Sequence, residues 1–237
     1  MKHLKLFETT NEYNNWLNSN NYITPYIVKD KESKIVLYQK YKNPYYDSKI
    51  LYLESSGEQW INLDYGVWNA GLSGEIVMQR LDDNTGEKAY IGRVGQSGFD
   101  LYTINNGKIG LWLDTTHGQI DLQSNDTETI DKNIHHVIFD MNKQTETIYL
   151  KVDNDEYSES SINFGTRENL NIQLFSHREY YNSTGRIYSC KLWYDGVMIY
   201  DLIPVRKDGV GYMFDKLSNK LFGNSANGVP LILGPDI

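Results

Sequence analysis

Gly185-Arg186-Ile187-Tyr188-Ser189-Cys190-Lys191-Leu192-Trp193-Tyr194-Asp195-Gly196-Val197-Met198-Ile199-Tyr200-Asp201-Leu202-Ile203-Pro204-Val205-Arg206 is the stretch that decides the fold. Two runs rich in β-branched and aromatic residues flank Asp195-Gly196. Such a pair favours a type I′ turn, because both central residues need φ > 0 and Asp and Gly tolerate it best. The stretch therefore predicts a β-hairpin. Pro204 has no N–H to offer a ladder and is expected to end the second strand.

Outward from this hairpin the same grammar repeats. From Ile50 onward, short apolar runs alternate with turn signals, at 50–53, 59–63, 74–81, 88–94, 98–104, 108–114, 134–140, 146–152, 170–175, 186–194, 197–203, 210–214 and 220–223. Asn106-Gly107 between Leu101 and Leu111 is a second hairpin signal. Strands at this spacing, with almost no helical periodicity, predict an all-β, two-sheet antiparallel sandwich. In Ile109-Gly110-Leu111-Trp112-Leu113 the residues 109, 111 and 113 face one way and Trp112 faces the other.

Residues 1–48 read differently. Thr9 and Glu12 offer a capping box, and Tyr13, Trp16 and Leu17 form an apolar stripe on a short helix. After Pro25, Tyr26–Lys29 and Ile35–Tyr38 predict a hairpin around Asp30-Lys31-Glu32-Ser33. A helix and one hairpin bury too little to stand alone, so this module is expected to attach to something else. The division is residues 1–48 and 49–237, with 41–48 as a linker.

Composition excludes several functions. The chain has 237 residues and a net charge of −8, with Lys and Arg scattered. A nucleic-acid partner is not expected, since phosphate binding needs a basic footprint. No apolar run is long enough for a membrane span. Met-Lys-His-Leu-Lys-Leu-Phe-Glu lacks the apolar core of a secretory signal, so none is expected. Cys190 is the only cysteine, and it reads as a small core hydrophobe.

Three blocks carry a family resemblance. Tyr52-Leu53-Glu54-Ser55-Ser56-Gly57-Glu58-Gln59-Trp60-Ile61-Asn62-Leu63 is similar to the opening strand of laminin-G-like domains. Ile134–Asp140 followed by Thr147–Val152 is similar to their central hairpin. The block from Gly185 through Asp208-Gly209-Val210-Gly211-Tyr212-Met213-Phe214-Asp215 to Lys220-Leu221-Phe222-Gly223-Asn224 is similar to their ending. From about residue 50 the chain thus resembles the concanavalin A-like lectin/glucanase superfamily, which implies a two-sheet jelly roll. Leu4–Thr9, Thr24-Pro25-Tyr26-Ile27-Val28 and Ile35–Tyr38 resemble a leader module on structural proteins of phages of Bacteroides-type bacteria. That resemblance implies a homo-oligomeric virion component (a head-fibre, decoration or tail-appendage subunit), joined to other virion proteins through residues 1–48 and located on the particle.

The glucanase branch hydrolyses glycosides with two carboxylates on one strand, about 5–5.5 Å apart in a retaining enzyme. The nearest string here is Gln119-Ile120-Asp121-Leu122-Gln123, whose outer positions are amides. No enzymatic activity is therefore expected. His135 and His136 are adjacent and point to opposite strand faces, so they cannot share a metal. Asp153 and Asp155 are the residues that would hold calcium if any ion binds, because calcium takes carboxylate oxygens; no full ligand set is legible and no cofactor is expected.

The aromatics remain. Trp60, Trp68, Trp112 and Trp193 can each serve as core or cross-strand filler. Trp112 is the best surface candidate, because 111 and 113 claim the core. Tyr180 and Tyr181, in the loop before Arg186, come next. Weak stacking of a cell-surface glycan on these rings, multiplied by display in many copies, is the expected activity. A stand-alone carbohydrate-binding module and a glycoside hydrolase are the alternatives.

Overall fold

The computed structural model describes residues 43–67, 70–82, 86–93, 98–104, 107–115, 118–125, 132–164, 170–177 and 182–237, together with the backbone of 27–29 and 35–37. The chain divides into two compact units, residues 1–47 and 48–237. In the first, β1 (Ile27–Lys29) and β2 (Ile35–Leu37) pair antiparallel with Val28 opposite Val36. The helix expected after Thr9 lies outside the described residues.

The described elements of the second unit are all strands. They are β3 (Ser48–Lys49), β4 (Leu53–Ser56), β5 (Ile61–Val67), β6 (Leu72–Arg80), β7 (Lys88–Arg93), β8 (Phe99–Thr103), β9 (Ile109–Thr115), β10 (Gly118–Gln123), β11 (Ile134–Asn142), β12 (Thr147–Val152), β13 (Asp155–Ser160), β14 (Leu170–Leu174), β15 (Thr184–Tyr194), β16 (Val197–Lys207), β17 (Val210–Asp215), β18 (Lys220–Phe222) and β19 (Ile232–Leu233). A six-stranded sheet runs β10-β9-β8-β7-β14-β5. A larger sheet runs β13-β12-β11-β6-β15-β16-β17-β18, with β4 and β3 beside β15 and β16 and β19 beside β4. All pairings between the described strands are antiparallel, and one isolated parallel bridge joins Ala89 to Asn182. The unit is a concanavalin A-like jelly-roll sandwich.

Period-2 alternation explains how the layers close. Along β6, Leu72, Ile76 and Met78 are buried while Ser73, Glu75 and Gln79 face out. Along β9, Ile109, Leu111 and Leu113 are buried. The inward sets of both sheets merge into one core, in which the rings of Phe99 and Phe139 lie 6.4 Å apart. Cys190 belongs to this core, and burial pushes its thiol pKa up, so it is an inert filler.

The deciding hairpin forms as its turn chemistry requires. Asp195 has φ 49° and Gly196 φ 78°, both in the left-handed region of a type I′ turn. A Cβ on Gly196 would meet nothing, so strain there is purely torsional. Gly196→Val is expected to lower stability by about 1–3 kcal/mol, read as a fall in denaturation midpoint. An unchanged midpoint would contradict the turn.

Three expectations need correction. Pro204 does not end its strand: β16 continues to Lys207. β15 pairs with β16 only as far as Leu202, and β3 takes over at Val205. Pro204 sits at that change of partner, where no ladder loses a donor. β10 is a strand that the sequence pattern does not mark, and so is β13, although Asp153–Glu156 reads as a turn. The turn is confined to Asp153-Asn154, and Asp155 opens β13. Both strands are sheet edges rich in polar residues, so the apolar alternation that reveals a half-buried strand is weak in them. Among the described residues no helix is long and apolar enough to cross a membrane.

Candidate functional site

One register row crosses the six-stranded sheet. Asp121 lies opposite Trp112, Trp112 opposite Asp100, Asp100 opposite Gly92, Gly92 opposite Gln173 and Gln173 opposite Asn62. The flanking residues 99, 101, 111, 113, 172 and 174 are in the core. The row therefore lies on the outer face.

Gly92 makes a gap in this row, and a loop fills it. After β14 the chain turns at Phe175, whose φ is 63°, and carries Ser176 and His177 over Gly92. A Cβ on Gly92 would stand 2.5 Å from Asp100 Oδ1, 2.8 Å from His177 Cβ and 2.8 Å from the Ser176 carbonyl oxygen. Only glycine leaves room for this crossing. His177 thereby reaches the row, sets its Nδ1 against Asp100 Oδ2 and packs against Trp112, with ring centroids 6.0 Å apart at 42°. Both members of the pair are buried, at 8% exposure for Asp100 and 4% for His177.

Trp112 itself is half-buried. With Asp100, His177, Tyr102, Asp114, Glu87 and Gln119 it lines an open pocket of about 310 Å³. Tyr102 Oη donates to Asp121 Oδ1 at 2.5 Å and accepts from Gln123 Nε2 at 3.0 Å. Burial first, and then the neighbouring Asp121 carboxylate, push the phenol pKa up. Asp121, the acid of the glucanase-like string, thus orients a tyrosine. The pocket combines one aromatic face with carboxylates from three places in the chain. Carboxylates accept hydrogen bonds from hydroxyl groups and repel anions.

The other expected residues are placed apart from this pocket or not at all. Tyr180 and Tyr181 lie outside the described residues, as does Trp68. Asp153 turns at φ 54°, accepts from the His136 N–H at 2.9 Å and pairs with His135 Nδ1 at 2.8 Å. Burial raises its carboxyl pKa, but these partners outweigh it and hold the group low. Asp155 is exposed at the start of β13. Among the described residues no group of three or more His, Cys, Asp or Glu side chains is placed to hold a metal ion, there or elsewhere. His136 Nε2 lies 3.1 Å from Glu75 Oε1, away from the contact of His135.

Sequence reasoning reached Trp112 but missed Asp100, Asp114, Glu87 and His177. Asp100 and Asp114 carried a signal, since each alternates with core residues on its strand. His177 carried none, because only the crossing over Gly92 brings it in.

No protein-family model matches the chain, and no curated protein matches it. Solved structures do. The heptameric SAP-like pentraxin of Limulus polyphemus overlays with a TM-score of 0.51 at 11% identity, covering 81% of this chain and 96% of the pentraxin chain. Domains LG4-5 of the mouse laminin alpha1 chain give 0.50 at 11% identity, covering 65% of this chain and 44% of theirs. The CBM40 of a Ruminococcus gnavus IT-sialidase gives 0.45 at 14% identity, covering 57% and 90%. At these identities the pentraxin and laminin likenesses show the fold alone.

Proposed function

We propose that this chain is a non-enzymatic carbohydrate-binding sandwich whose saccharide seat is the pocket around Trp112. One observation carries the reading: a half-buried indole, braced by His177, faces out beside carboxylates on an otherwise polar sheet face. The indole supplies a platform for the apolar face of a pyranose ring. The carboxylates of Asp100, Asp114 and Glu87 supply acceptors for its hydroxyls. The same charges disfavour anionic sugars, so the ligand class is a neutral saccharide. An open seat of this size supports weak binding, at a Kd of about 1 mM, or roughly −4 kcal/mol.

The test is a binding panel of cellotetraose, laminaritetraose, xylotetraose and 3′-sialyllactose. At least one neutral tetrasaccharide is expected to bind and the sialylated sugar is not. Preference for the sialylated sugar would refute the charge argument.

Hydrolysis is the second reading, because Asp100 and Asp114 share one face as diagonal neighbours on β8 and β9. The Cα atoms of such neighbours lie about 7–8 Å apart, and an inverting enzyme holds its two carboxyl groups about 6.5–9.5 Å apart. Asp100 is buried and already in contact with His177, whereas a general acid must reach the glycosidic oxygen. No release of reducing ends from the tetrasaccharides is the expected result.

The finer proposal is that the sandwich is displayed on a phage particle in several copies, attached through residues 1–48 to other virion proteins. The resemblance of residues 4–38 to a phage leader module supports it. Multivalent display would raise avidity by about 10²–10⁴ without any new contact. Mass spectrometry of purified particles tests it: the protein is expected among the virion components, and its absence would end the proposal.

A further inference from the structure

A second register row, on the outer face of the larger sheet, sets Tyr149 opposite Asp140, Asp140 opposite Ser73 and Ser73 opposite Trp193. Their sequence neighbours Ile148, Leu150, Phe139, Met141, Leu72 and Leu192 are buried in the core, so these four side chains point outward. Ser73 and Asp140 form the floor and the two aromatics form the walls of a groove of about 620 Å³. The walls stand on strands three spacings apart, about 14 Å. That span leaves a trough wide enough for a sugar-sized ligand, in which an ammonium group can rest against one wall.

The charges in the groove are unevenly matched. Glu75 is held by Lys191 at 3.2 Å and by His136 at 3.1 Å, and Asp195 by Lys143 at 2.7 Å. Asp140 instead has the neutral Asn142 amide and the Met141 N–H as its partners. Burial pushes its carboxyl pKa up, and those two hydrogen bonds offset that only in part. A cation placed over it would relieve this cost, and a ring face within about 6 Å would add cation–π attraction of about 0.5–2 kcal/mol. A neutral sugar would leave the carboxylate without a counter-charge.

We infer that this groove is a second ligand site, which takes an organic ammonium group between Trp193 and Tyr149 with Asp140 as its counter-ion. It is built from other strands than the Trp112 pocket and does not depend on it. The ammonium can come from an amino sugar or from a simple alkylammonium ion, and the experiment separates them.

The experiment is calorimetric titration of the full chain with the β-1,4 trimer of glucosamine, with its N-acetylated counterpart and with tetramethylammonium. The glucosamine trimer is expected to bind at least tenfold more tightly than the N-acetylated trimer. Asp140→Asn and Trp193→Ala are each expected to weaken it at least tenfold with an unchanged melting temperature, while Trp112→Ala leaves it in place. Binding of tetramethylammonium as well would mean that charge suffices; its failure beside a binding trimer would mean that the sugar ring is also required. Equal binding of the charged and N-acetylated trimers, wild-type affinity in Asp140→Asn, or no binding of either cation at 10 mM would overturn the inference.

Discussion

Trp112→Ala is expected to abolish detectable binding of neutral tetrasaccharides while leaving the melting temperature within a few degrees of the parent. Among the described residues the indole is the only broad apolar surface in a pocket otherwise lined by acids, His177, Gln119 and a tyrosine already held by Asp121 and Gln123. Residues that anchor a contact in this way cost about 2 kcal/mol or more when truncated, roughly thirtyfold in Kd. From a starting Kd of about 1 mM that lies beyond ordinary titration. Stability changes little because Trp112 points away from the core formed by Leu111 and Leu113. Retained binding in this variant would move the seat elsewhere on the molecule.

Phe139→Ala is the variant with the largest expected effect on the fold. Phe139 is fully buried on β11, its ring 6.4 Å from that of Phe99 in the facing sheet. It also lies over Gly74 of β6, where a Cβ would stand only 2.4 Å from its ring. The glycine on β6 and the ring on β11 thus fill one another's space, and neither neighbour can close the hole left by truncation. The expected loss is about 3–5 kcal/mol, a large fraction of the stability of about 5–15 kcal/mol usual for a domain. A shift of the denaturation midpoint corresponding to less than about 1 kcal/mol would contradict the packing of the two sheets around this ring.

What could be read from the chain beforehand follows the range of the interactions involved. The Asp195-Gly196 hairpin was legible because turn chemistry is local. The buried strands were legible because alternation needs only a few residues. β10 and β13 were not, since edge strands place mostly polar side chains beside one another. Pro204 misled for a related reason. Whether a proline interrupts a ladder depends on which strand lies beside it, and the handover from β15 to β3 is a property of sheet order.

The site divides along the same line. Trp112 was visible from its own strand. Asp100 meets His177 only because β14 lies beside β7 and Gly92 admits the loop between them. Gly92 lies beside a register shift, between Ala89 and Ile91. Its closer role is to let a backbone and a histidine cross the sheet face. Trp193 read equally well as cross-strand filler. Only the row Tyr149–Asp140–Ser73–Trp193 reveals that it forms one wall of a groove.

The most direct measurement is a titration of the isotope-labelled protein with the tetrasaccharide that binds best in the panel, followed by amide and indole chemical shifts. The account predicts that the Trp112 indole N–H and the amides of Asp100, Trp112, Asp114 and His177 shift together along one binding curve, while those of Ser73, Asp140 and Trp193 stay in place. Shifts confined to any other face, or no shift with any of the neutral sugars, would contradict it.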